Sequence, residues 1–163
     1  MRGVTMEKID WKNLSYDDFT GFVAVTAFLL FVLYFGGLWY TTYDYRIQMR
    51  DQMVEMYKQL PNPIPPIEDD YGVHQRWLVF YIDGVKVLNK PQPENVINEY
   101  KKALEKEGWA TEREYEHVRN DKNKIYGINM RKGEFILSVS ARENRDSINI
   151  HLIKRDWIYN KGF

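Results

Sequence analysis

The chain is 163 residues long, enough for one apolar span and one soluble domain of roughly 90 to 120 residues, with no room for a second catalytic domain. Lysine plus arginine number 23 and aspartate plus glutamate 23, so charge balance argues against a nucleic-acid partner. No cysteine is present, which excludes disulfides, thiolate zinc sites, iron–sulfur clusters, thioether-linked haem and a lipid-modified cysteine.

The run "FTGFVAVTAFLLFVLYFGGLWY", residues 19–40, has no formal charge in a chain that is 28% charged. As a helix, its 22 residues rise about 33 Å, which matches a hydrocarbon core of about 30 Å. Apolar residues occupy every helical face. Tyr16 before the run, with Trp39, Tyr40 and Tyr43 at its far end, supplies aromatic residues for the two membrane interfaces. Asp17 and Asp18 lie where a cleaved signal peptide carries basic residues, so an uncleaved anchor is expected. Gly21, Ala24 and Ala27 form a row of small residues, and Gly36-Gly37 offers a second place for close backbone approach; both are expected contacts for a neighbouring transmembrane helix. No ionisable residue interrupts the run, so no ion path is expected through it. Arg2, Lys8 and Lys12 precede the span and Arg46, Arg50 and Lys58 follow it, so the positive-inside count is a tie.

After Tyr43, Met49, Met53, Met56 and Leu60 recur at spacings of four, three and four among charged residues, which predicts an amphipathic continuation of the same helix as a stalk. Two covers for this methionine stripe are open: the protein's own domain, or a groove on another subunit, for which adaptable Met is suited. Prolines 61, 63, 65 and 66 end the helix and impose extended backbone. The expected organisation is a tail at 1–18, a transmembrane helix at 19–40, a stalk at 41–60, a proline-rich linker at 61–71 and a soluble α+β domain at 72–163.

Within the domain, "RWLVFYIDGVKVL" predicts a hairpin, with an apolar strand at 77–82, an Asp83-Gly84 turn and a return at 85–88. "PQPENVINEYKKALEKEGW" predicts a helix with Pro93 and Glu94 in its first turn and Val96, Tyr100, Ala103 and Leu104 on one face. Gly108 is its left-handed cap, bringing Trp109 against Leu104. "KIYGINM", "GEFILSVSA" and "SINIHLI" alternate with period two and predict an antiparallel meander, with turns at Arg131-Lys132-Gly133 and near Asn144-Arg145. The charged stretch 112–120 is expected as an exposed strand. The sum is an antiparallel sheet of five or six strands with one helix across one face, its other face left to solvent or a partner.

Residues for chemistry are sparse. His74, His117 and His151 fall on separate elements without metal-ligand spacing, so no metal or cofactor is expected. His151 has the setting of a half-exposed structural histidine. Ser138 and Ser140 alternate on a strand face without a nucleophile elbow, and Asp69-Asp70 or Glu105 with Glu107 are expected as solvated charge. An enzyme is disfavoured.

The series "LPNPIPP…PENVINEYKKALEKEGW…YGINMRKGEFILSVSA…INIHLI", across residues 60–153, resembles small membrane-tethered bacterial extracytoplasmic modules. In these a proline-rich entry precedes a hairpin, a P-E-x-V-x-x-x-Y-x-x-x-L-x-x-x-G-W helix and a final meander. The resemblance implies a cytoplasmic N-terminus, a domain outside the inner membrane and no catalytic residues. A second similarity is to type IV pilins and pseudopilins, with Gly21-Phe22 in place of their cleavage junction. It departs at Thr26, where a pilin has Glu, and at Asp17-Asp18. The leading expectation is a non-catalytic accessory subunit of a larger respiratory, photosynthetic or secretion complex, in contact with other subunits and the lipid bilayer. The alternatives are a free-standing tethered module that binds peptide, glycan or lipid, or a pilin-like component.

Overall fold

The computed structural model describes residues 16–76, 79–118 and 123–155, with side chains from residue 19, and the chain divides into two compact units, Met1–Asp44 and Tyr45–Phe163. The first carries α1, Tyr16–Thr41. Its stretch Phe19–Thr41 is long and apolar enough to cross a membrane, and none of its most apolar window is buried. The helix ends at a pair of threonines: Thr41 Oγ1 donates to the Gly37 carbonyl at 2.9 Å and Thr42 Oγ1 to that of Leu38 at 2.7 Å. Such back-bonding hydroxyls compete with the helical ladder. Thr42 alone separates α1 from α2, Tyr43–Lys58, and its N–H still reaches the Leu38 carbonyl at 3.1 Å, so the continuous helix expected from the sequence is interrupted at a single residue.

The second unit is a six-stranded sheet with both packed helices on one face. Its strands are β1 (Glu68–Arg76), β2 (Val79–Val87), β3 (Ala110–Val118), β4 (Lys124–Lys132), β5 (Phe135–Arg142) and β6 (Ser147–Lys154), with α3 (Pro93–Lys106) between β2 and β3. The order across the sheet is β1-β2-β6-β5-β4-β3, and all five pairings are antiparallel. The chain makes the β1–β2 hairpin, crosses to the far edge through α3, then returns strand by strand until β6 closes against β2. β1 begins inside the segment expected as linker. The described part of the stretch expected as an exposed strand lies in β3, and residues 119–120 lie outside the described residues.

Period-two alternation sorts the two faces. Phe80 and Ile82 on β2, Ile148, Ile150 and Leu152 on β6, Leu137 and Val139 on β5, and Ile128 and Met130 on β4 all turn to the helix side and are buried. α3 covers the β3–β4–β5 half with Val96, Ile97, Tyr100 and Leu104. Its end has the expected form. Gly108 sits at φ +84°, its N–H reaches the Glu105 carbonyl at 3.1 Å, and the Trp109 N–H reaches that of Leu104 at 3.0 Å. This is a Schellman termination, with Trp109 and Leu104 both buried behind it.

α2 covers the β1–β2–β6 half. Met49, Met53 and Tyr57 are buried in the core, and Gln52 meets Lys154 of β6 at 3.1 Å. The sheet thus has two covering helices where one was expected.

The Asp83-Gly84 turn is the clearest correction. β2 runs unbroken through both residues, and the β1–β2 pairing closes with Arg76 opposite Val79; residues 77–78 lie outside the described residues. The dipeptide is retained in the strand for contacts to either side. Gly84 lies beneath the Tyr57 ring of α2, where any Cβ would overlap it, and Asp83 faces the opposite side and meets two histidines. Tertiary contacts here override a strong local turn signal.

Candidate functional site

Three places answer to the residues singled out in the sequence: α1, a buried polar knot beneath α2, and the open face of the sheet. On α1, added Cβ atoms at Gly21, Gly36 and Gly37 would meet nothing within 4 Å. Ala24 and Ala27 are exposed on the same helix. Trp39, Tyr40 and Tyr43 are exposed at its C-terminal end and just beyond, and Tyr16 is its first residue. The methionines expected to meet a partner are placed differently. Met53 is fully buried, Met49 is 4% exposed and Met56 packs partly against the same core, so the first of the two covers, the protein's own domain, takes the stripe.

The knot beneath α2 centres on Lys86, whose side chain is 2% exposed. It occupies an inward position of β2 in an otherwise apolar series, because three polar groups reach it there. Asp69 of β1 lies 3.0 Å from Nζ, Asn62 of the proline-rich segment accepts a short hydrogen bond, and the Tyr57 ring lies beneath at 5.5 Å. Tyr57 Oη donates to Asp69 at 3.1 Å. Burial pushes the Tyr57 hydroxyl well above the usual tyrosine range, and the charge of Asp69 and the hydrogen bond to it push the same way. Tyr100 of α3 is raised likewise, first by burial and then by Asp69, and among the described residues its hydroxyl has no hydrogen-bond partner. Asp69, expected as solvated surface charge, is thus the counter-ion of a buried ammonium. These contacts tie α2, the proline-rich segment, β1 and β2 together.

The open face is built by the other parity of each strand. One row crosses all six strands: Gly72, Asp83, His151, Ser138, Asn129 and Arg113 stand at successive paired positions. His151 Nδ1 lies 2.7 Å from Asp83 Oδ1, and Ser138 Oγ donates to Asn129 Oδ1 at 2.9 Å. His74 Nε2 approaches the other oxygen of Asp83 at 3.8 Å, and both histidines pack on Tyr81, the His74 ring stacked on it at 5.1 Å. Two histidines far apart in sequence thus meet at one carboxylate through strand register alone. Among the described residues no group of three histidine or carboxylate side chains is arranged to hold a metal ion. His117 stands apart on β3.

At the far side of the same face, the Tyr115 ring lies over Gly127, where a Cβ would collide with it. Burial raises the Tyr115 hydroxyl above its usual range, with nearby Arg113 opposing. A shallow groove of about 260 Å³ runs from Tyr115 and Gly127 round the edge to α3, lined by Glu94, Glu114 and Glu116. Lys101 neutralises Glu114 at 2.6 Å and Lys124 neutralises Glu116 at 2.8 Å, so the groove has little excess charge for a cation. The hydrogen bonds to these carboxylates raise both lysines.

No known protein family, curated protein or solved structure matches the chain.

Proposed function

We propose that the chain is a single-pass, non-catalytic accessory subunit of a membrane protein complex, held by α1 and presenting its sheet domain to neighbouring subunits on the outer side of a bacterial inner membrane. The carrying observation is α1 itself: a membrane-length helix with no buried residue in its apolar window, beside a domain whose core is complete without it. An apolar surface of that size needs a bilayer and neighbouring helices for its solvent. The exposed glycines of α1 give a neighbouring helix close access, and the sheet face that neither α2 nor α3 covers gives the head a surface for contact.

Extraction of native membranes with a mild detergent, followed by native electrophoresis, tests this reading. The chain should stay with the membrane through an alkaline wash and migrate with partner proteins at constant stoichiometry. Recovery in the soluble fraction would remove the anchor, and migration alone with a peptide, glycan or lipid bound would favour the tethered binding module.

A further inference from the structure

We propose that the open face of the sheet pairs with the same face of a second copy of this chain, as a two-fold dimer in which the acidic half of each face meets the basic half of the other. This deepens the reading above by naming the neighbour that the face takes.

Charge is unevenly distributed over the open face. On the β1–β2 side the face carries Glu68, Asp70 and Asp83; on the β5–β4–β3 side it carries Arg142, Arg131 and Arg113. Arg76, at the end of β1, is the exception on the acidic side, and Glu112 of β3, 3.5 Å from the Arg131 guanidinium, is the exception on the basic side, which leaves Arg113 and Arg142 as its main charges. Each half would repel its own kind and attract the other, so the face is complementary to itself when turned over. A two-fold axis parallel to the strands, between β6 and β5, does this. It sets β1 and β2 of one copy over β3 and β4 of its mate, with Asp70 and Asp83 toward Arg113 and Arg131. Strands then run aligned across the interface, the usual arrangement of stacked sheets. An interface of this symmetry uses one patch twice.

The middle of the face suits such a contact. His151 and Ser138 flank the axis at the same level, so each imidazole faces a hydroxyl of the mate. Below them Tyr81, Ile153 and Ile136 form a half-buried apolar strip that gains full cover. Size agrees as well. Six strands about 4.8 Å apart and eight or nine residues long give a face of roughly 750 Å², close to the ~800 Å² per partner of a stable interface. The backbone hydrogen-bonding edges of β1 and β3 take no part in this face-to-face pairing, and the charged residues on both strands discourage open-ended growth.

The test is a charge exchange on the full chain in detergent, read as mass by light scattering with the detergent contribution subtracted. One variant, Asp70→Arg with Asp83→Arg, makes the face basic throughout; the other, Arg113→Glu with Arg131→Glu, makes it acidic. Wild type should be a dimer, each variant alone should dissociate at least about 100-fold more readily, and an equimolar mixture should return to a 1:1 dimer. A thiol introduced at Ser138 in this cysteine-free chain should cross-link copies through a short bis-maleimide, whereas one at Lys102, on the helix side, should not. A monomeric wild type, or variants that stay dimeric alone with no cross-link at Ser138, overturns the pairing. A monomer that still migrates with a complex would overturn the pairing and leave the accessory-subunit reading standing.

Discussion

Replacing either member of the buried Lys86–Asp69 pair should have unequal consequences, and the inequality tests the packing of α2. Asp69→Asn leaves the Lys86 ammonium, 2% exposed, without its counter-ion, since Asn62 and an uncharged amide supply only dipoles. Stranding a buried charge costs about 3–5 kcal/mol. Lys86→Met instead fills the space with an unbranched apolar chain and leaves a carboxylate whose side chain is 35% exposed and still accepts from Tyr57. Water rescues much of that charge, so the loss should be about 1–2 kcal/mol, on the scale of one charge-assisted hydrogen bond. For a folding unit of about 120 residues, each kcal/mol moves the melting point by about 4 °C, giving a fall of roughly 12–20 °C for Asp69→Asn against 4–8 °C for Lys86→Met. Thermal unfolding of the full chain in detergent, followed by near-ultraviolet circular dichroism, reads both. Equal losses, or a milder Asp69→Asn, would mean that Lys86 reaches solvent and that α2 does not seal it.

Three other outcomes follow from the same core. Trp109→Ala empties a 4% exposed site behind the Schellman turn and should cost about 3–5 kcal/mol in the same melt. Tyr100→Phe removes a buried hydroxyl that lacks a partner and should be neutral or stabilising by up to about 1 kcal/mol; a clear loss would reveal a partner for that oxygen. Because Tyr57 and Tyr100 are held protonated above the ordinary value of 10.0, the unfolded chain releases these protons first as pH rises. Their stabilisation is complete below pH 10 and should decline above it by about 1.4 kcal/mol per unit for each tyrosine, with a shallower decline in Tyr100→Phe.

Much of this architecture is readable in the chain because local signals and tertiary structure agree there. Residues 19–40 are apolar on every side, α3 has Pro93 at its start and Gly108 at its end, and the meander alternates cleanly between core and open face. The misreadings share one cause, contacts distant in sequence. β1 reads "EDDYGVHQR", with little of a strand's usual composition, because it is an edge whose outward side faces water; pairing with β2 makes it a strand. Asp83-Gly84 has the chemistry of a turn, yet α2 needs the bare backbone of Gly84 and His151 needs the carboxylate of Asp83. The meeting of His74 and His151 depends on the register of β1, β2 and β6, which no spacing encodes. Lys86 is hidden for a similar reason: in a β-alternating run a lysine reads as surface, and only Asp69, Asn62 and Tyr57 together make its burial tolerable. The methionine stripe was legible as an apolar face, whereas its taker was decided by the sheet.

Because α2 supplies Met49, Met53 and Tyr57 to the interior, the head does not begin at the prolines, where the sequence has its most obvious seam. Proteolytic scission at residues 61–66 would detach part of the core and bare the β1–β2–β6 half of the sheet, so the released fragment should precipitate. A well-behaved soluble head must start before Tyr45, and a protease acting on intact membranes should leave α2 with the domain.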